Sequence, residues 1–170
     1  MEHWKVFFEN EAELKRAQLE EMERVISVLP WIATIDKFQH WVYTNAEHTD
    51  EERTEAWKSI LNEFSTGVVD WSGFEEYRAH FWQKQLHLYE VPFYYIEYGI
   101  AQLGALAMWR QYRSNKEQAL DNYMKALSLG YTKTLKELYD TAGIRFDLSP
   151  EYIHEIGGFV KERLGEMGVK

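Results

Sequence analysis

Cysteine is absent from this 170-residue sequence, which excludes a disulfide framework and thiolate chemistry and fits a reducing, cytoplasmic setting. Basic residues are in the minority. There are 19 Lys and Arg against 28 Asp and Glu, a net charge of −9, with no concentrated basic stripe. Phosphate contacts depend on Lys and Arg, so neither nucleic acid nor an anionic membrane surface is expected as a partner. Proline occurs three times and glycine ten times, so long helices are expected. No stretch alternates apolar and polar residues for long enough to suggest a sheet. The N-terminal MEHWKVFFENEAEL has neither the basic region nor the apolar core of a signal peptide. What is abundant is aromatic. Seven Trp and eleven Tyr mark a packed globular protein, and the length suits a single domain over residues 1–170 with a real core.

Read in order, the chain predicts an all-α bundle of seven or eight helices. Residues 2 to 8 read as a short helical end. Asn10 caps a helix whose apolar positions are Leu14, Ala17, Leu19, Met22, Val25, Ile26 and Leu29. Pro30 removes a backbone donor and is expected to kink or break that helix, with Trp31, Ile32, Ile35, Phe38, Trp41 and Val42 carrying the apolar face on until Asn45. Thr49-Asp50-Glu51-Glu52 is a strong helix start, with Trp57, Ile60, Leu61 and Phe64 inward. A helix through Tyr77, Phe81 and Trp82 towards Leu88 follows. The stretch from Gln85 to Tyr112 then reads as a central helix packed on most sides, with Pro92 in its first turn. Its small residues Gly99, Ala101, Gly104, Ala105 and Ala107 let another helix approach. Its length invites comparison with a membrane span, against which Glu97, Gln102 and three tyrosines argue. Asn115 caps a helix with Ala119, Leu120, Tyr123, Ala126 and Leu127 inward. A shorter helix over about 133 to 141 closes at Gly143, and Ser149-Pro150 starts the last. The segment ALDNYMKALSLGYTKTLKELYDTAGI (Ala119 to Ile144) looks like one copy of a helix-pair repeat. No second copy exists at that period, so a solenoid is not expected.

Few residues offer chemistry. His154-Glu155 begins the two-histidine helical pattern of a zinc peptidase, but Gly158 stands where the second histidine belongs. His80 and His87 are seven apart and lack a third ligand; His40 and His48 are loosely related. His3, His40, His48, His80 and His154 read as surface or hydrogen-bonded structural histidines, and no metal ligand is assigned. His87 with Tyr94, Tyr95 and Tyr98 differs. The three- and four-residue spacings let the phenols converge on one side of a helix, where phenols and an imidazole make good donors to a developing oxyanion. Amphipathic core aromatics with satisfied hydroxyls would give the same spacing.

The segments FQHWVYT (Phe38 to Thr44), VDWSG (Val69 to Gly73), QLHLYEVPFYYIEYGIAQLGAL (Gln85 to Leu106) and AGIRFDLS (Ala142 to Ser149) resemble the C-terminal part of the oligoendopeptidase F group, in the thimet-type family of zinc metallopeptidases. The resemblance runs through the whole chain in the family's order, and its end looks like the family's C-terminus. It implies an all-helical fold around a channel that admits short peptides. It also implies that zinc, in the full-length family, is held by a two-histidine motif and a glutamate upstream of a point matching Met1-Glu2. This chain then carries no cofactor of its own and lacks the family's catalytic glutamate. By the same resemblance His87, Tyr95 and Tyr98 match the histidine and tyrosines that bind substrate or stabilise the tetrahedral intermediate. Tyr94 is adjacent, as a substrate contact.

Two functions are therefore expected from different classes. The chain is the C-terminal portion of a zinc oligopeptidase, hydrolysing short peptides only with its upstream half and inactive alone. Alternatively it is a non-catalytic helical module that binds peptides or proteins. In either case an apolar face left bare predicts docking of the missing half or self-association.

Overall fold

The computed structural model describes residues 3–169, so Met1, Glu2 and Lys170 lie outside it, including the first residue of the expected helical end over residues 2 to 8. Within that end, Trp4–Val6 form a single 3-10 turn. Eight α-helices follow, and no strand occurs among the described residues: α1 (Glu11–Thr44), α2 (Asp50–Phe64), α3 (Glu75–Ala79), α4 (His87–Glu90), α5 (Ile96–Ser114), α6 (Lys116–Ser128), α7 (Leu135–Thr141) and α8 (Pro150–Glu166). The fold class is all-α, as the sparse proline and glycine imply.

The helix starts are chemical. Thr49 and Glu52 form a reciprocal capping box on α2, with the Thr49 N–H donating to Glu52 Oε2 at 2.8 Å and the Glu52 N–H to Thr49 Oγ1 at 3.2 Å. Thr134 and Glu137 repeat it on α7, while Asn115 and Ser149 cap α6 and α8. Each satisfies backbone donors that the first turn leaves without partners. At the other end of α7, Gly143 takes a φ of +72°, a conformation that favours glycine.

Pro30 does not break α1, which continues to Thr44. A proline inside a helix costs about 3 kcal/mol. Just beyond it Ile32, Ile35 and Phe38 are almost fully buried, and each such burial stabilises by about 1.5–3 kcal/mol, so packing outweighs the lost hydrogen bond. The expected central helix is shorter than its apolar pattern. Between Leu86 and Ile96 the chain makes one turn of helix, α4, then a non-helical turn holding Pro92, and α5 begins only at Ile96. The expected helix towards Leu88 is likewise divided into α3, a 3-10 turn over Phe81–Lys84, and α4.

The chain forms two compact units, residues 24–99 and residues 3–23 with 100–169, and α1 and α5 contribute residues to both. In the 24–99 unit the core is Ile35, Phe38, Trp57 and Ile60, with Trp31, Trp41, Phe64, Phe81, Trp82 and Tyr95 packed around it. Trp57 is fully buried and meets Phe38 edge-on at 5.1 Å, while its indole N–H donates to the Arg78 carbonyl at 2.9 Å. The ring thus satisfies both its apolar surface and its one donor. Gly99 lies where an added Cβ would stand 3.2 Å from Ile32 Cγ2, so the start of α5 rests directly on α1.

In the other unit Leu14, Met22, Leu103, Leu106, Ala107, Ala119, Ala142, Tyr152, Ile156, Phe159 and Val160 are buried. Gly104 faces the Tyr139 phenol, whose hydroxyl donates to the Ile100 carbonyl at 2.9 Å. The small residue therefore admits a side chain rather than a helix backbone. Of the expected inner face of α6 only Ala119 is buried; Leu120, Tyr123 and Leu127 are exposed. Tyr123, Ala126 and Leu127, together with Ala101 and Ala105 of α5 and Leu135 and Leu138 of α7, line an open apolar cavity of about 580 Å³. One face of α5 is accordingly left uncovered, while Leu103, Leu106 and Ala107 on its other sides are buried. Ile26, expected on the apolar face of α1, is also exposed.

Candidate functional site

The break between α4 and α5 builds the site. The Phe93 backbone adopts a φ of +60°, uncommon for a bulky L-residue. It is held there by its N–H, which donates to Gln39 Oε1 at 2.9 Å, and by its ring, which packs at 4.9 Å against both His40 and Tyr43. Gln39 is buried on α1 and its amide nitrogen has no partner. The turn points the chain back so that α5 starts beside α4. The Tyr94 and Tyr95 carbonyls accept the N–H groups of Glu97 and Tyr98, which places Tyr98 in the first turn of α5.

The four residues singled out in the sequence meet here. The His87 ring lies 4.9 Å from that of Tyr95 and 5.5 Å from that of Tyr98, nearly perpendicular to the latter. Tyr98 also meets Tyr94 at 5.8 Å and Tyr95 at 5.3 Å. His87 Nε2 is 3.2 Å from the Tyr98 hydroxyl. Tyr94 and Tyr98 are about half exposed, at 50% and 45%. Tyr95 is the half-buried member. Burial pushes its phenol up from the usual value of 10.0, against the Trp31 indole, which favours the ionised form; the neighbouring Tyr98 adds to the upward shift.

Two residues not anticipated from sequence support the cluster. Gln85 Nε2 is 2.7 Å from His87 Nδ1, and the Trp31 indole N–H donates to Gln85 Oε1 at 3.1 Å. Gln85 sits two positions before His87, a visible proximity. Trp31 is 54 residues away, and no local pattern could have paired them.

Four of the other histidines are engaged elsewhere. His48 Nδ1 lies 2.5 Å from the Asn45 carbonyl, His80 Nδ1 lies 3.0 Å from that of Glu76, and His3 Nε2 lies 3.2 Å from the Tyr112 hydroxyl. His40 pairs loosely with Asp36 at 3.6 Å. Glu155, beside His154 in sequence, accepts from Arg110 at 2.7 Å and from Arg145, and these hydrogen bonds hold its carboxyl below the usual 4.5. Among the described residues no three His, Asp or Glu side chains gather in a way that could hold a metal ion. No helix among them is long and apolar enough to cross a membrane.

Comparison with known proteins bears on what these residues serve. No curated protein matches the chain. A solved structure, PZ peptidase A with inhibitor 2, is similar at 31% sequence identity and a TM-score of 0.82. The match covers 95% of this chain but 28% of the other, so the chain spans less than a third of that protein's length. The model of peptidase family M3 matches residues 1–158. With that match over most of its length and a similar helical fold in a solved peptidase, the chain belongs to peptidase family M3.

Proposed function

We propose that the chain is the C-terminal portion of an oligoendopeptidase F-type zinc peptidase of the cytoplasm that cleaves short peptides. In this reading His87, Tyr95 and Tyr98 contact the reacting carbonyl group and Tyr94 contacts the peptide. The observation that carries it is the half-exposed phenol of Tyr98 hydrogen-bonded to His87 at the start of a helix. A phenol fixed in place and open on one side is suited to receive negative charge as it develops on a carbonyl oxygen, because its geometry needs no rearrangement at that moment. The first turn of α5 adds the positive end of the helix dipole. Family membership supplies the peptide substrate class and the zinc ion.

Among the described residues no three ligating side chains gather, so they do not fit that ion. On this reading the zinc site and the attacking water belong to residues outside this chain, and the chain alone is inactive. Its own residues bind the peptide, orient its carbonyl and offer hydrogen bonds. The test is to join the chain to the upstream part of the protein and assay short peptides. Cleavage should appear only in the joined protein, and His87→Ala or Tyr98→Phe should lower kcat by roughly 10²-fold, the scale of one oxyanion donor. Wild-type turnover in both variants would remove the role given to the cluster.

A further inference from the structure

The hydrogen bonds behind His87 have a fixed direction. An indole N–H only donates, so the Gln85 group facing Trp31 at 3.1 Å must be the amide oxygen. The reverse orientation would set N–H against N–H. The amide NH₂ then faces His87 Nδ1 at 2.7 Å, and because it too only donates, Nδ1 must be the unprotonated nitrogen. A neutral imidazole accepting at Nδ1 carries its proton on Nε2. That proton points to the Tyr98 oxygen at 3.2 Å. The Tyr98 hydroxyl cannot donate back along the same line, so its own proton is directed away from His87. A phenol oxygen that accepts a hydrogen bond is a stronger donor through its own O–H.

We propose that Trp31 and Gln85 are positioning residues that hold His87 as its Nε2–H tautomer and so present the Tyr98 hydroxyl as an outward donor. The use of that donor, on the carbonyl oxygen of a bound peptide, rests on the peptidase reading; the direction of the relay does not. Trp31 is suited to be the fixed end. It sits on α1, packed edge-on at 6.0 Å to Trp57 and 5.5 Å to Phe81, so its N–H cannot turn away to follow the amide.

The experiment is nitrogen-detected NMR of the 170-residue chain with labelled histidine, at about pH 9, above the ordinary imidazole range. The His87 signals are identified by their loss in His87→Phe. In the native chain His87 should show a pyridine-like Nδ1 and a pyrrole-like Nε2. In Gln85→Glu, whose carboxylate can only accept, the pattern should invert, with the proton on Nδ1. Trp31→Phe frees the amide and should give a mixture of the two. A native His87 protonated on Nδ1 overturns the proposal. An unchanged pattern in a folded Gln85→Glu overturns it as well. In the joined enzyme Gln85→Leu should lower kcat about tenfold with little change in KM. A correct tautomer in a joined enzyme insensitive to His87→Ala and Tyr98→Phe would sink the peptidase role and leave the relay standing.

Discussion

The side-chain oxygen of Gln39 accepts the backbone N–H of Phe93 at 2.9 Å across 54 residues of sequence. Gln39→Leu leaves that N–H without an acceptor, at a cost of about 1–3 kcal/mol, while also removing the buried amide nitrogen that has no partner. The two effects oppose, and the expected net loss is about 1 kcal/mol, seen as a lower urea midpoint. Hydrogen exchange around Phe93 should accelerate. Unchanged exchange there would mean that Gln39 does not hold the turn.

Gly104 leaves no room for a methyl group. A Cβ added there would stand 2.5 Å from the Tyr139 hydroxyl and 2.9 Å from its ring. Gly104→Ala should destabilise the protein by about 1–3 kcal/mol, as overpacking does. Tyr139→Phe removes the nearest atom and the bond to Ile100, so the double variant should lose less than the sum of the singles. Simple additivity in a denaturation cycle would contradict the contact.

The carboxyl of Glu155 is held low first by its hydrogen bond to Arg110 and then by that to Arg145. Glu52 and Glu137 are lowered chiefly by the backbone and side chain of their capping threonines, and Asp147 by Ser149. A folded value below the unfolded one means stability that is present above the unfolded value and lost as pH falls through the folded one. Melting temperature should therefore fall on acidification below about pH 4.5, the ordinary glutamate value. Glu155→Gln should flatten part of that slope. A steeper fall in the variant would reverse the assignment.

The open cavity beside α5 and the exposed Leu127 at its edge favour self-association of the isolated chain, since bare apolar surface seeks cover. Light scattering should show a concentration-dependent rise in mass, and Leu127→Glu should suppress it. A monomer at high concentration that binds no apolar dye would rule this out.

Where a signal is local it was legible in the sequence. Thr49 with Glu52 and Ser149 with Pro150 mark helix starts that the structure reproduces, because a cap is built from residues three apart. Helix class followed from apolar spacing for the same reason. The misread places depend on distant partners. Pro30 is carried through by burial around Phe38, and the apolar run after Gln85 is interrupted because Gln39 captures the Phe93 N–H. In the candidate site, His87, Tyr94, Tyr95 and Tyr98 could be named from one contiguous segment. Trp31 and Gln39 could not, since only the folded chain brings α1 to them.

The conformation of Phe93 has a consequence for handedness. At a φ of +60° an L-side chain crowds its own backbone, whereas a residue of the opposite chirality has its relaxed conformations on that side of zero. A chemically assembled chain with D-phenylalanine at position 93 should relax the backbone at this one site, while L-valine or L-isoleucine there should fit worst. The approach to the tyrosine cluster is thus the one described non-glycine position in this fold where the mirror-image amino acid is the better match for the backbone.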